Sequence, residues 1–366
     1  VVLVSIKPRK IIEEIFPYKP GKPVGEVQRE LGLEKVVKLA SNENSLGPSP
    51  KAVEAMREAL TEVCRYPEGS GHYLVHALVA KFGLTFDQII LGNGANDLCE
   101  LVTKTFVGPG DNVVSGHPSF IMYKIAALIM DAEFRAVPLR DDRFDLPAIA
   151  DALDDRSKVV FIANPNNPSG TIVTRAEVEA FLDKIPPHVI VVLDEAYFDF
   201  VTAEDYPDGL DYVKAGRQVM VMRSFSKNYG LAGLRLGWAA AAPELISHMH
   251  RIRQPFNANR LAQVAGVAAL EDDEHLVRSR EMVVAGREQL YKAFDELGVK
   301  YVPSEANFIL LHLGRDAAPL YEALMKRGVV VRPMAGWGLP EALRVSVGTA
   351  EENQAFIDAF AAVLNE

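Results

Sequence analysis

Cysteine is scarce in this chain of 366 residues, which has only Cys64 and Cys99. Two thiols build no disulfide framework, and their spacing builds no metal site. Both fall in helical patterns and read as buried, reduced thiols, which fits the cytosol. No apolar run approaches the ~20 residues that cross a bilayer. The opening VVLVSIKPRK puts its apolar stretch before its positive charges, the reverse of a secretory signal. Basic residues are also in deficit: 39 Lys and Arg stand against 49 Asp and Glu, a formal charge of −10. A sequence-independent nucleic-acid binder needs a basic surface, so that class is excluded. Internal repeats and low-complexity segments are missing as well.

What remains is the make-up of an ordinary globular enzyme, 49% hydrophobic and 24% charged. From about residue 50, helical patterns alternate with brief β-branched runs. PKAVEAMREALTEV is amphipathic, with Ser49 as N-cap and Pro50 in the first turn. QIILG, NVVS, FRAVP, KVVFIA, VIVVLD and QVMVM read as strands separated by helices such as DLCELVTKTF and RAEVEAFLDKI. That order predicts an α/β fold with a mostly parallel, doubly wound sheet, whose ligands sit at the carboxyl ends of the strands. After Pro255 helix dominates, which predicts a smaller α+β unit. The expected division is a large domain over 45–255 and a small one over 1–44 and 256–366, formed by both chain ends.

Ser224-Phe225-Ser226-Lys227, with Arg235 eight residues on, is the most informative run. It places a lysine, two hydroxyls and a guanidinium in one connection after a buried strand. The lysine can condense with an aldehyde while Ser224, Ser226 and Arg235 hold a phosphate beside it. Pyridoxal phosphate requires that combination; a solvated lysine in a polar turn is the plain alternative.

Gly92-Asn93-Gly94-Ala95-Asn96 follows a strand and opens a helix, a natural phosphate site. It also resembles the opening of a dinucleotide fold, but Asp97 stands where the third glycine belongs. Asp194 ends five apolar residues, where an acid is costly unless it meets a cation such as a protonated pyridine. A loop carboxylate is the alternative. Tyr197 and Asn167 lie in turns from which they reach the cofactor's phenolic oxygen, although NPNNPSG is also a plain turn signal. Phe120 suits stacking on the ring, or a ligand-free core. Arg332 and Arg344 sit in or beside β-rich runs and suit either an anionic substrate tail or structural salt bridges. His72 and His76 lack the glutamate of a zinc motif, so no metal is expected.

Together these residues resemble the fold-type I pyridoxal-phosphate aminotransferases and, within them, the histidinol-phosphate aminotransferase family. The likeness runs through FPYKPG, KLASNENSLGPSP, RYPEG, GNGAND, NPNNPSG, VVLDEAYFDF, SFSKNYGLAGLRLGW and ALRVSVGT. It implies catalytic roles for Lys227, Asp194 and Tyr197. It implies that Gly94, Ala95, Asn96, Ser224, Ser226 and Arg235 bind the cofactor phosphate, with Tyr66 donated by the second subunit of a homodimer. Phe120 would stack where tyrosine is frequent, and Asn167 would contact the phenolic oxygen. Tyr18, Asn44, Arg332 and Arg344 would hold the substrate. The implied reaction moves an amino group between L-histidinol phosphate and 2-oxoglutarate in histidine biosynthesis, in the cytoplasm. An aromatic or broad-range aminotransferase and a phosphoamino-acid decarboxylase are the rivals.

Overall fold

A computed structural model of the chain describes residues 7–15 and 22–364. Tyr18 lies outside the described residues. Strand β1 (Val37–Lys38) precedes the strands of a seven-stranded sheet. These are β2 (Ile89–Gly92), β3 (Asn112–His117), β4 (Glu133–Pro138), β5 (Ser157–Ala163), β6 (Ile190–Asp194), β7 (Val219–Ser224) and β8 (Gly237–Ala240). Their spatial order is β2-β8-β7-β6-β5-β3-β4. Every pairing from β7 through β4 is parallel. Strand β8 alone runs antiparallel, to β2 and to β7, so β2 and β7 end on the same side.

The central strands are continuous apolar runs because helices cover both faces of the sheet. Strands β6 and β7 are buried at every residue, whereas in edge strand β4 only Val137 is buried. Strand β8, GWAA, carries no β-branched residue and was not legible as a strand. The helix Pro50–Ala59 begins as expected: Pro50 occupies its first turn and Ser49 Oγ accepts from the Ala52 N–H at 3.3 Å.

The chain's C-terminal part builds a second sheet from β9 (Lys300–Val302), β10 (Phe308–His312), β12 (Arg332–Pro333) and β13 (Ala342–Ser346). Strand β11 (Val329–Val330) instead pairs in parallel with β1. Leu39 of the N-terminal segment joins Leu290, Ile309, Phe356 and Phe360 in this unit's core, so both chain ends contribute to it. The helix Arg260–Leu270 falls after Pro255, yet it packs with the larger sheet's core through Ala262, Ala265 and Ala269. Its small residues let it lie close against the helices Pro50–Ala59 and His72–Phe82, a partnership that periodicity does not reveal. The cysteines divide: Cys99 is buried as expected, but Cys64 is exposed, in a turn a few residues past the helix Pro50–Ala59.

Candidate active site

A cavity of about 470 Å³ opens at the carboxyl ends of the parallel strands. Residues at or just past the strand ends line it: Phe120 after β3, Asn167 after β5, Asp194 ending β6 with Tyr197 beyond it, and Ser224 ending β7 with Ser226 and Lys227 beyond it. The other unit closes it with Ser41, Asn42, Trp337 and Arg344. Phe120 and Lys227, 107 positions apart in sequence, thus meet because parallel strands deliver their ends to one edge.

One end is built for an anion. Ala95 and Asn96 line it at the N-terminus of the helix Ala95–Phe106, where unpaired N–H groups and the helix dipole favour negative charge. Gly94 has φ +83°, and a Cβ there would lie 2.4 Å from Nη2 of Arg235. Glycine therefore lets the guanidinium close over the loop. Arg235 itself holds a left-handed φ of +55° and donates from Nη1 to Ser226 Oγ at 3.5 Å. Ser224 Oγ accepts from the Ser226 N–H at 3.0 Å.

In the middle, Asp194 is buried; its Oδ2 accepts from the Tyr123 hydroxyl at 2.7 Å and its Oδ1 from the Ala196 N–H at 3.1 Å. Burial pushes its carboxyl up, and the Tyr123 bond opposes that rise. Lys227 donates from Nζ to the carbonyl oxygens of Asn42 at 3.1 Å and Ser41 at 3.4 Å, with its ammonium 5.4 Å from the centre of the Tyr197 ring. Asn42 Nδ2 donates to the Tyr197 phenol oxygen at 2.9 Å. At the far end Arg344, buried on β13, donates to Asn167 Oδ1.

The structure thus brings Ala95, Asn96, Phe120, Asn167, Asp194, Tyr197, Ser224, Ser226, Lys227, Arg235 and Arg344 to one cavity, with Gly94 shaping its wall. It does not bring Asn44 there. That amide donates to the Asn228 carbonyl and to Ser279 Oγ, away from the cavity. Asn42 lines the cavity instead, and its φ of +55° is left-handed. Asparagine tolerates that conformation, a signal present in SNEN but shared by both residues. Arg332 does not line the cavity either; its guanidinium lies 5.1 Å from the centre of the Trp337 ring, and Trp337 is the residue that faces inward. Tyr66 is 79% exposed, stacks on Phe256 at 4.7 Å and is not among the residues that line the cavity. Asn42, Tyr123 and Trp337 were missed from the sequence: SNEN does not tell its two asparagines apart, and Tyr123 and Trp337 carry no local motif.

Among the described residues no group of His, Cys, Asp and Glu could hold a metal ion, and no helix is long and apolar enough to cross a membrane. His72 and His76 face each other on one helix, rings 4.4 Å apart.

Comparison with known proteins agrees with this geometry. The family model for aminotransferase class I and II matches residues 34–360. A histidinol-phosphate aminotransferase of Moorella thermoacetica is 49% identical over 98% of this chain and 93% of its own length. The one from Symbiobacterium thermophilum is 45% identical over 98% of this chain and 99% of its own. The crystal structure of the Sinorhizobium meliloti histidinol-phosphate aminotransferase in complex with pyridoxal-5'-phosphate superposes with a TM-score of 0.89. It is 26% identical and covers 100% of this chain and 99% of its own. The chain belongs to the class I and II aminotransferases and, within them, to the histidinol-phosphate aminotransferases.

Proposed function

We propose that the protein is a pyridoxal-phosphate-dependent transaminase that moves an amino group between L-histidinol phosphate and 2-oxoglutarate. The observation that carries this is one cavity with Lys227 and Asp194 at its centre, an anion cradle at one end and Arg344 at the other. The residues fit the cofactor. Asp194 is a buried carboxylate facing a space large enough for a ring, and Gly94 leaves a cradle that a Cβ would fill. Bound there, pyridoxal phosphate supplies an aldehyde for amino groups and a ring that takes up electrons.

The chain's own residues do the rest. The amides of Ala95 and Asn96, Ser224, Ser226 and Arg235 bind the phosphate. Phe120 covers the ring face, and Asp194 holds the proton on the ring nitrogen. Tyr197, whose oxygen already accepts from Asn42, keeps its own proton to donate to the phenolic oxygen. Asn167 presents Nδ2 to the same oxygen, because Arg344 is an obligate donor and claims Oδ1. Lys227 takes the substrate's Cα proton and returns it on the other side of the transfer. Arg344 holds the phosphate of histidinol phosphate or the carboxylate of glutamate, so one pocket serves both half-reactions.

We assign the active unit as a homodimer in which Tyr66 completes the second subunit's phosphate site. Its exposure beside Leu60, Val63 and Phe256, also exposed, supports that reading. Two free thiols support a reducing, cytoplasmic setting. The division into domains follows the two sheets, with the cavity between them. Steady-state kinetics over histidinol phosphate, phenylalanine, tyrosine and phosphothreonine tests the function. The highest kcat/KM should fall to histidinol phosphate; a higher value for either aromatic amino acid overturns the assignment.

A further inference from the structure

We infer that Tyr123 is a positioning residue of the reaction: its hydroxyl aims and anchors the Asp194 carboxylate toward the cavity. This rests on the cofactor assignment above. Tyr123 lies in the first turn of the helix Ile121–Ile129, and no part of it reaches solvent. Its ring lies flat on Phe161 of β5, centroids 4.5 Å apart and planes within 3°. That stack fixes the phenol in one plane, so its 2.7 Å bond to Asp194 Oδ2 has one available direction. The Ala196 N–H fixes the other oxygen at 3.1 Å. Asp194 is therefore held at both oxygens by the chain's own groups. The same helix start carries Phe120, whose ring meets Tyr123 edge-on at 5.6 Å. One structural element thus sets both the stacking face and the orientation of the acid beneath it.

The alternative is a buried tyrosine that merely satisfies its hydroxyl. Two observations go against it. Asp194 is the hydrogen-bond partner of this hydroxyl, and Asp194 is the buried acid among the residues that line the cavity. Burial also holds the Tyr123 phenol far above its ordinary range, so it stays a donor throughout the working pH range. A permanent donor favours the ionised carboxylate, the form that keeps a proton on a ring nitrogen. The other titratable groups facing Asp194 are Lys227 after β7, Cys99 on the helix Ala95–Phe106, and Tyr206. Nζ of Lys227 donates to the carbonyl oxygens of Asn42 and Ser41 and not to Asp194.

Tyr123→Phe keeps the stack on Phe161 and removes only the hydroxyl. The readout is the near-visible absorbance of the cofactor-loaded protein titrated with pH, alongside thermal melting of each variant. With Asp194 less able to hold the ring proton, the absorbance midpoint should move upward by about half a unit or more. In an Asp194→Asn background the same substitution should move the midpoint no further, because the group it acts through is gone. Tyr123→His, which restores a donor, should return part of the shift. A Tyr123→Phe protein that melts like the parent and keeps its midpoint overturns the inference, as does an equal shift in the Asp194→Asn background. Should Tyr123→Phe melt early, the comparison between backgrounds still decides, since a general loosening moves both alike. A parent that binds no pyridoxal phosphate overturns the cofactor assignment, and this inference with it; binding with a normal Asp194→Asn response but no Tyr123 effect overturns this inference alone.

Discussion

Nη1 of Arg344 donates to Oδ1 of Asn167 at 2.5 Å, across 177 residues of sequence, while Nη2 donates to the Ala40 carbonyl at 3.0 Å. The bond joins a strand of the C-terminal sheet to a turn of the large sheet. It couples the residue proposed to hold the substrate's anion to the one proposed to touch the cofactor's phenolic oxygen.

Arg344→Gln should raise KM for histidinol phosphate at least about tenfold, the loss of one charge-assisted hydrogen bond. The effect on uncharged histidinol should be much smaller. Arg332→Gln, behind Trp337, should change either value by less than about threefold. Steady-state kinetics on both substrates decides this, and equal losses on the two would make Arg344 a structural residue.

Lys227 should carry the cofactor. Borohydride treatment of the loaded protein followed by peptide mapping should find the pyridoxyl label in the SFSK run. A label on any other lysine, or none, removes the assignment.

Asp194→Ala should fold yet lose turnover steeply. Leaving a buried charge unpartnered costs on the order of 3–5 kcal/mol. Expressed wholly in the transition state, that is about 10²–10⁴-fold in kcat. A variant within a few-fold of the parent would leave Asp194 as a loop carboxylate.

Tyr66→Ala and Lys227→Ala proteins, each poor alone, should complement when unfolded together and refolded. Each mixed dimer has one intact site, so random pairing returns about a quarter of parental activity. No recovery means that Tyr66 does not act across an interface. A fully active Tyr66→Ala removes the role altogether.

Glu68 accepts from the backbone N–H of His72 at 2.6 Å, and from the Ser70 hydroxyl at 2.7 Å and its N–H at 3.1 Å. These bonds, that from His72 foremost, draw its carboxyl from 4.5 down to about 2. A depressed folded value means stability present above the unfolded value and lost as pH falls toward 2. The group is exposed, so Glu68→Gln should cost no more than about 1 kcal/mol near neutrality. In urea melts the gap between parent and variant should stay constant from pH 7 to about 5 and then close in acid. A gap that widens in acid would contradict the sign.

Much of this protein was determined by local sequence. Strands buried on both faces read as unbroken apolar runs, so β5, β6 and β7 were legible, and so were the turns after them that carry Asn167, Asp194 and Lys227. Helix signals were equally local: Ser49 and Pro50 announced a start that the backbone follows. Tertiary structure decided whatever depends on partners distant in the chain. Strand β8 owes its place to β2 and β7 on either side and not to its own GWAA. The helix Arg260–Leu270 was assigned by which core its alanines fill. Of the two asparagines in SNEN, a left-handed turn at Asn42 selected the one that meets Tyr197, 155 residues away. Tyr123 became Asp194's partner only because β3, β5 and β6 stand side by side, so that the helix start after β3 lies near the end of β6. Periodicity along a chain records which face a residue turns to the core; it holds no record of which residue it will meet there.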